Sequence, residues 1–151
     1  MIDVVILAAK RTPVGRFLSG LADVSAVELG CVAGEAALIG IDREVIDQVI
    51  VGNVLSAGSG MNVARQIGVG LKLPMATPAF TVNMMCASGL QAVLLAAQAI
   101  QNGSAKCVLC GGVESMSRAP YLLQRARTGY KLGDGTLVDS ILRDGLHDAF
   151  D

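Results

Sequence analysis

The sequence predicts an α/β protein in which layered helices surround a mostly parallel β-sheet. Short, continuous apolar segments alternate along the chain with longer segments of helical apolar spacing, and this alternation is typical of parallel strands joined by right-handed crossovers. Composition gives the second observation: 52% of the 151 residues are apolar, only 3% are aromatic and none is Trp. A core of small and branched aliphatic side chains in close contact suits a layered α/β interior.

Four apolar segments are predicted to be strands. The first is β-branched, and a turn-forming Thr-Pro-Val-Gly sequence at residues 12–15 ends it. In parallel sheets of this kind, active groups gather beyond the carboxyl ends of the strands, so residues that directly follow a strand are candidate site residues. The predicted strands are residues 4–9, 48–54, 80–84 and 106–110.

Helices are predicted between and after these strands, at residues 25–39, 63–71 and from Cys86 to residue 101, with a last short one at 138–146. Ser25 and Glu28 have the spacing of a capping box, and Asn62 can cap the second helix. The third helix is apolar nearly all round, which predicts a position between two layers.

Length and charge narrow the class of protein. The length fits about one domain, and the high apolar content predicts a large subunit interface or a missing second half. A formal net charge of −1 lacks the basic field of a nucleic-acid binder. The N-terminus lacks a signal-peptide pattern, and no apolar stretch is long enough to span a bilayer. We therefore expect a soluble cytoplasmic protein without nucleic-acid or membrane partners, with its four cysteines as free thiols.

A single thiol, Cys86, stands at the junction between the third predicted strand and the third predicted helix. Unsatisfied N–H groups and the positive end of the helix dipole at such a start favour a thiolate, which is a nucleophile. Gly89 would allow a substrate or another backbone to approach closely. The local pattern fits equally well with a small buried cysteine that packs as an apolar side chain.

Two sequence motifs carry a resemblance to the thiolase family. Residues 86–93 (CASGLQAV) resemble the thiolase nucleophile motif, and residues 111–120 (GGVESMSRAP) resemble the second N-terminal signature. Residues 9–15, 58–66 and 144–150 match as well, so the resemblance covers essentially the whole chain. Ala87, where Gly is frequent, and His147, at a variable position, depart from the commoner biosynthetic pattern and leave the substrate subclass open.

The resemblance implies a thiolase-like N-terminal α/β domain at residues 1–117, followed at 118–151 by the start of a loop domain, with the C-terminal half of a thiolase absent. It implies Claisen condensation of two acetyl-CoA to acetoacetyl-CoA, or the reverse thiolysis, through an acyl-cysteine intermediate. Cys86 would be the nucleophile and its backbone N–H an oxyanion donor. Leu146 would lie in the region that faces coenzyme A. Coenzyme A thioesters would be substrates, with no cofactor and no metal.

Thiolases take an activating histidine, a second cysteine and an asparagine-held water from their C-terminal half, so we expect this chain alone to turn over little or nothing. The only histidine, His147, is a poor substitute, since a base must reach the nucleophile. The resemblance also implies a homodimer or homotetramer. In thiolases residues 58–66 lie near the partner subunit, and residues 125–134 resemble the loop that links dimers into tetramers.

Two other functions stay open. Cys107 and Cys110 have a spacing found in redox and zinc sites, but residues three apart on a strand point to opposite faces and cannot share a metal. The chain could also be a non-catalytic assembly module, a thiolase half that pairs with a complete subunit.

Overall fold

The computed structural model describes residues 3–150, and its centre is a parallel three-stranded sheet. Strand β1 (Gln48–Gly52) lies between β2 (Ala79–Val82) and β3 (Val108–Gly112). Val49 of β1 stands opposite Ala79 of β2 and Leu109 of β3. Three of the four predicted strands are thereby confirmed, with ends that differ by up to two residues.

The three main helices also lie where the sequence predicts them. They are α1 (Ala26–Ala37), α2 (Val63–Gly70) and α3 (Ser88–Gln101). Ser25 and Glu28 form the predicted capping box, in which the Ser25 Oγ accepts from the Glu28 N–H and the Glu28 carboxylate accepts from the Ser25 N–H. The Asn62 side chain accepts from the N–H of Arg65 and caps α2.

The side chains of β1 alternate between two apolar layers. Val49 and Val51 pack in the layer with α2, against which α1 lies, whereas Ile50 packs in the layer with α3. Because β1 is buried on both faces, its sequence is a continuous apolar run and does not alternate with polar residues.

Helix α3 is covered on one side only within residues 3–150, so its predicted position between two layers is wrong for this part of the chain. Ala92 and Ala96 are buried against the sheet, while Leu90 and Leu94 are 65% and 48% exposed. Small residues face the sheet because α3 approaches it closely. Leu90, Val93 and Leu94 lie on the uncovered side, whereas Leu95 packs against the core.

The predicted strand at residues 4–9 is wrong as well. These residues form no strand, and the side chains of Val5, Ile6 and Leu7 are between 68% and 79% exposed. A β-branched apolar run favours an extended backbone, but a strand also requires the hydrogen bonds of a neighbour. No strand among residues 3–150 pairs with this segment.

After β3 the chain forms a small separate sheet. Strand β4 (Tyr121–Leu123) pairs antiparallel with β5 (Leu137–Asp139), and a single π-helical turn follows at Leu142–Leu146. The helix predicted over residues 138–146 is therefore wrong in its first part, because pairing with β4 draws residues 137–139 into a strand. None of the helices within residues 3–150 is both long enough and apolar enough to cross a membrane.

Candidate active site

Cys86 lies at the tip of a tight turn between β2 and α3, and it is exposed. The buried hydroxyl of Ser88 holds this turn closed, since it accepts from the Met84 N–H at 2.8 Å and donates to the Met85 carbonyl at 2.6 Å. The alternative interpretation of Cys86 as a buried apolar side chain is wrong, because the turn presents the residue to solvent.

The backbone of the turn adopts an uncommon conformation next to the thiol. Met85 has φ 51°, a left-handed value that costs a non-glycine residue roughly 1–2 kcal/mol. Its N–H donates to Asn83 Oδ1 at 3.0 Å. This conformation places Cys86 directly before Ala87, the N-cap residue of α3, and the dipole at a helix start favours an anion.

Two glycines let the start of α3 lie directly on the ends of the sheet strands. A Cβ built on Gly52, at the end of β1, would lie 2.5 Å from the Ser88 carbonyl oxygen and 2.7 Å from the Gly89 nitrogen. A Cβ on Gly112, at the end of β3, would lie 2.9 Å from the Gly89 Cα. The Cys86 turn therefore lies at the carboxyl edge of the sheet, where the sequence places it.

A cavity of about 330 Å³ opens beside this turn. Cys86 lines it, and so does Leu146 of the turn after β5, more than 50 residues further along the chain. Val54 and Leu55 form another part of the wall. Exposed His147 is not a lining residue, so the cavity formed by residues 3–150 has no histidine beside the thiol.

The carboxylate of Glu114 is the one ionisable group besides Cys86 that lines this cavity within residues 3–150. Its Oε1 accepts from Asn53 Nδ2 at 2.8 Å and from the Leu55 N–H at 3.0 Å, and its Oε2 accepts from the Val54 N–H at 3.0 Å. Three donors thus occupy three of the roughly four acceptor sites of this carboxylate.

The backbone N–H of Cys86 is a candidate donor for an anion. Among the hydrogen bonds of residues 3–150 outside the regular helices and strands, none uses the N–H of Cys86 as its donor. An N–H group without an internal acceptor, at the start of a helix, is suited to a negatively charged oxygen.

The other three cysteines lie in a different environment. Burial raises the pKa of the Cys31, Cys107 and Cys110 thiols, with smaller contributions from Glu35 near Cys31 and Asp47 near Cys107. Cys107 packs with the apolar layer of α2 and Cys110 with that of α3, so the two thiols lie on opposite faces of the sheet. No group of three or more potential metal ligands occurs among residues 3–150.

We expect iodoacetamide to alkylate Cys86 about 10-fold faster than any other thiol of the folded chain, because Cys86 is exposed and the pKa of the others is raised. Mass spectrometry of tryptic peptides after partial alkylation measures the four rates. Equal rates, or preferential reaction of Cys110, would contradict the accessibility that the structure gives to Cys86.

Comparison with known proteins identifies the family. The sequence profile described as "Thiolase, N-terminal domain" matches residues 4–151. The chain belongs to the thiolase family. Among thiolase relatives, the acetyl-CoA acetyltransferase of Cupriavidus necator is 49% identical over 99% of this chain, and that of Pseudomonas aeruginosa is 50% identical over the same share. This chain spans only 39% of the length of each relative.

A solved thiolase structure has the same fold. The thiolase of Ascaris suum in complex with coenzyme A has a TM-score of 0.90 and 43% identity, covering 95% of this chain and 38% of that one. The α/β fold class and the family predicted from the sequence are therefore confirmed. The division at residue 117 and the roles of Cys86 and Leu146 stay predictions.

Sequence reasoning missed three residues that shape the site: Ser88, Asn53 and Glu114. Ser88 and Glu114 lie inside the two motifs, but a motif match does not say which atoms they contact. A carboxylate two residues after a strand that ends in two glycines was the available signal for Glu114. Its partners lie about 60 residues earlier in the chain and follow only from the packing of β1 beside β3.

Proposed function

We propose that this chain is the nucleophile-bearing part of an acyl-CoA acyltransferase that condenses two acetyl-CoA to acetoacetyl-CoA or runs the reverse thiolysis. One observation carries the proposal: an exposed cysteine at the start of α3 lines a cavity in a chain about half identical to acetyl-CoA acetyltransferases. The coenzyme A bound to the Ascaris suum thiolase supports acyl-CoA as the substrate class.

In the first step, the Cys86 thiolate attacks the carbonyl carbon of acetyl-CoA. A C–S bond to Cys86 forms, the C–S bond to coenzyme A breaks, and the departing thiolate takes a proton. In the tetrahedral intermediate of this transfer, the former carbonyl oxygen carries a negative charge that N–H donors stabilise. We assign the Cys86 N–H as one such donor. A second acetyl-CoA, deprotonated at its α-carbon, then attacks the thioester and releases the Cys86 thiolate. A thiolate suits both steps because it is a strong nucleophile and a good leaving group.

Proton transfer in these steps needs a base that the cavity of residues 3–150 does not present. Glu114 is occupied by three N–H donors, and His147 lies outside the cavity lining. We therefore assign the base to the part of the relatives that this chain does not span.

Acyl labelling tests the proposal. The chain is joined to the part of the Cupriavidus necator relative that follows the matched segment, and we call this protein the completed chain. After incubation with acetyl-CoA, intact-mass measurement and peptide mapping are expected to show one acetyl group, on Cys86. Labelling at another residue, or labelling that persists in Cys86→Ser, rules out Cys86 as the nucleophile.

The non-catalytic assembly module is the second candidate, and the exposed apolar side of α3 favours it. A folded completed chain that stays unlabelled at saturating acetyl-CoA would support this alternative.

For either function, we propose that the chain assembles as a homodimer or homotetramer through residues 58–66 and 125–134. The four free thiols fit a reducing compartment such as the cytoplasm.

A further inference from the structure

The cavity wall after β1 has no regular secondary structure, and a carboxylate from another loop holds it in place. Residues 53–55 leave the end of β1, whereas Glu114 follows β3. The Glu114 carboxylate accepts from the N–H groups of both Val54 and Leu55 at 3.0 Å. These two hydrogen bonds fix the backbone of the wall across the gap between the two strand ends.

The buried side chain of Asn53 connects the same two loops by hydrogen bonds. It is 2% exposed, and its Nδ2 donates to the Val113 carbonyl at 3.1 Å and to Glu114 Oε1 at 2.8 Å. Both partner atoms are acceptors, so the NH₂ group of the Asn53 amide, and not its oxygen, must face them. Its Oδ1 is buried without a hydrogen-bond partner in residues 3–150, and a buried acceptor left in this way carries a cost in stability.

The wall after β1 also packs against the opposite side of the cavity. The buried side chain of Leu55 would meet a Cβ on Gly145 at 3.3 Å, so Leu55 packs against the turn that carries Leu146. Gly145 and Leu146 line the cavity together with Cys86. A displacement of residues 54–55 would therefore change the distance between Leu146 and the thiol.

Within residues 3–150, hydrogen-bond donors hold the Glu114 carboxylate, and no cation does. No basic side chain within residues 3–150 forms an ion pair with Glu114. Three N–H donors, from Asn53, Val54 and Leu55, contact the carboxylate instead.

We propose that Glu114 is a positioning residue: it holds the wall at Val54 and Leu55, and thereby the width of the cavity that receives the coenzyme A thioester. The role in binding rests on the proposed function. Glu114 contacts no reacting atom in this assignment, so its removal should weaken binding of a coenzyme A compound without changing the intrinsic reactivity of Cys86.

The test compares two alkylating reagents on the completed chain, with peptide mapping to measure the reaction at Cys86. Bromoacetyl-CoA and iodoacetamide both form a C–S bond to Cys86 with loss of a halide ion and release of the thiol proton to solvent. Only the reaction with bromoacetyl-CoA depends on binding of a coenzyme A group by the cavity. In Glu114→Gln, one carboxylate oxygen becomes an NH₂ group that faces a backbone or side-chain N–H. Glu44→Gln, at an exposed position, is the matched control.

For Glu114→Gln we expect the bromoacetyl-CoA concentration at half-maximal rate to rise about 10-fold, because groups that line a binding site lose affinity for the ligand when they are displaced. The maximal rate and the iodoacetamide rate should stay within about twofold of the unsubstituted chain, as should all rates of Glu44→Gln. Glu114→Asp, which keeps both oxygens, should recover part of the binding. Hydrogen exchange at the Val54 and Leu55 amides should accelerate about 10-fold in Glu114→Gln.

Each result decides a separate point. If Glu114→Gln slows both reagents equally, or if exchange at Val54 and Leu55 is unchanged, the positioning role of Glu114 is wrong. If Cys86 of the unsubstituted completed chain reacts with bromoacetyl-CoA without saturation while exchange at Val54 and Leu55 still responds to the substitution, the proposed acyl-CoA function fails, and Glu114 keeps only a structural role in the loop.

Discussion

Gly52→Ala is expected to lower the free energy of unfolding by about 3 kcal/mol, at the upper end of the range for added atoms in a packed interior. The new Cβ would lie 2.5 Å from the Ser88 carbonyl oxygen and 2.7 Å from the Gly89 nitrogen. Both are backbone atoms at the start of α3, and they cannot move aside by a change of rotamer. The helix start has to shift away from the sheet, and the turn that presents Cys86 shifts with it.

Gly111→Ala is the matched control. Gly111 also lies near the end of a sheet strand, but a Cβ built on it meets no atom within 4 Å. We expect its free energy of unfolding to stay within about 0.5 kcal/mol of the unsubstituted chain. Urea denaturation followed by circular dichroism measures both variants. Equal midpoints for the two would show that α3 does not need its close approach to Gly52.

The sheet and its helices could be predicted from the sequence because the local sequence of each element reflects the burial and capping of that element. Residues 49–51 are continuously apolar since β1 is buried on both faces, and the capping box at Ser25 fixes the start of α1 with side chains three residues apart. The position of Cys86 followed in the same way, from a strand-like run directly before a helix-like one.

Features that depend on a distant partner could not be predicted. Residues 4–9 have the composition of a strand but no neighbour within residues 3–150, whereas residues 137–139 become a strand because Tyr121–Leu123 lies beside them. Glu114 and Asn53 meet only through the parallel pairing of β1 with β3. Neither local propensity nor apolar periodicity contains this information.

Cys86→Ser in the completed chain is expected to reduce the rate of acetoacetyl-CoA thiolysis on the order of 10⁴-fold, as loss of a nucleophile does in other enzymes. A serine hydroxyl stays protonated at neutral pH, whereas the thiolate is the reactive form of a cysteine, and an ester at residue 86 would be a poorer acyl donor than a thioester.

Because Cys86 is exposed and packs into neither apolar layer, the free energy of unfolding should change by less than about 0.5 kcal/mol. Cys107→Ser is the control that removes a thiol from outside the cavity, and it should keep its thiolysis rate within about twofold even though its partly buried site costs some stability. Steady-state thiolysis and urea denaturation of both variants separate chemistry from folding. Thiolysis by Cys86→Ser at the unsubstituted rate would place the nucleophile outside this chain, and the cavity beside α3 would then have to serve binding alone.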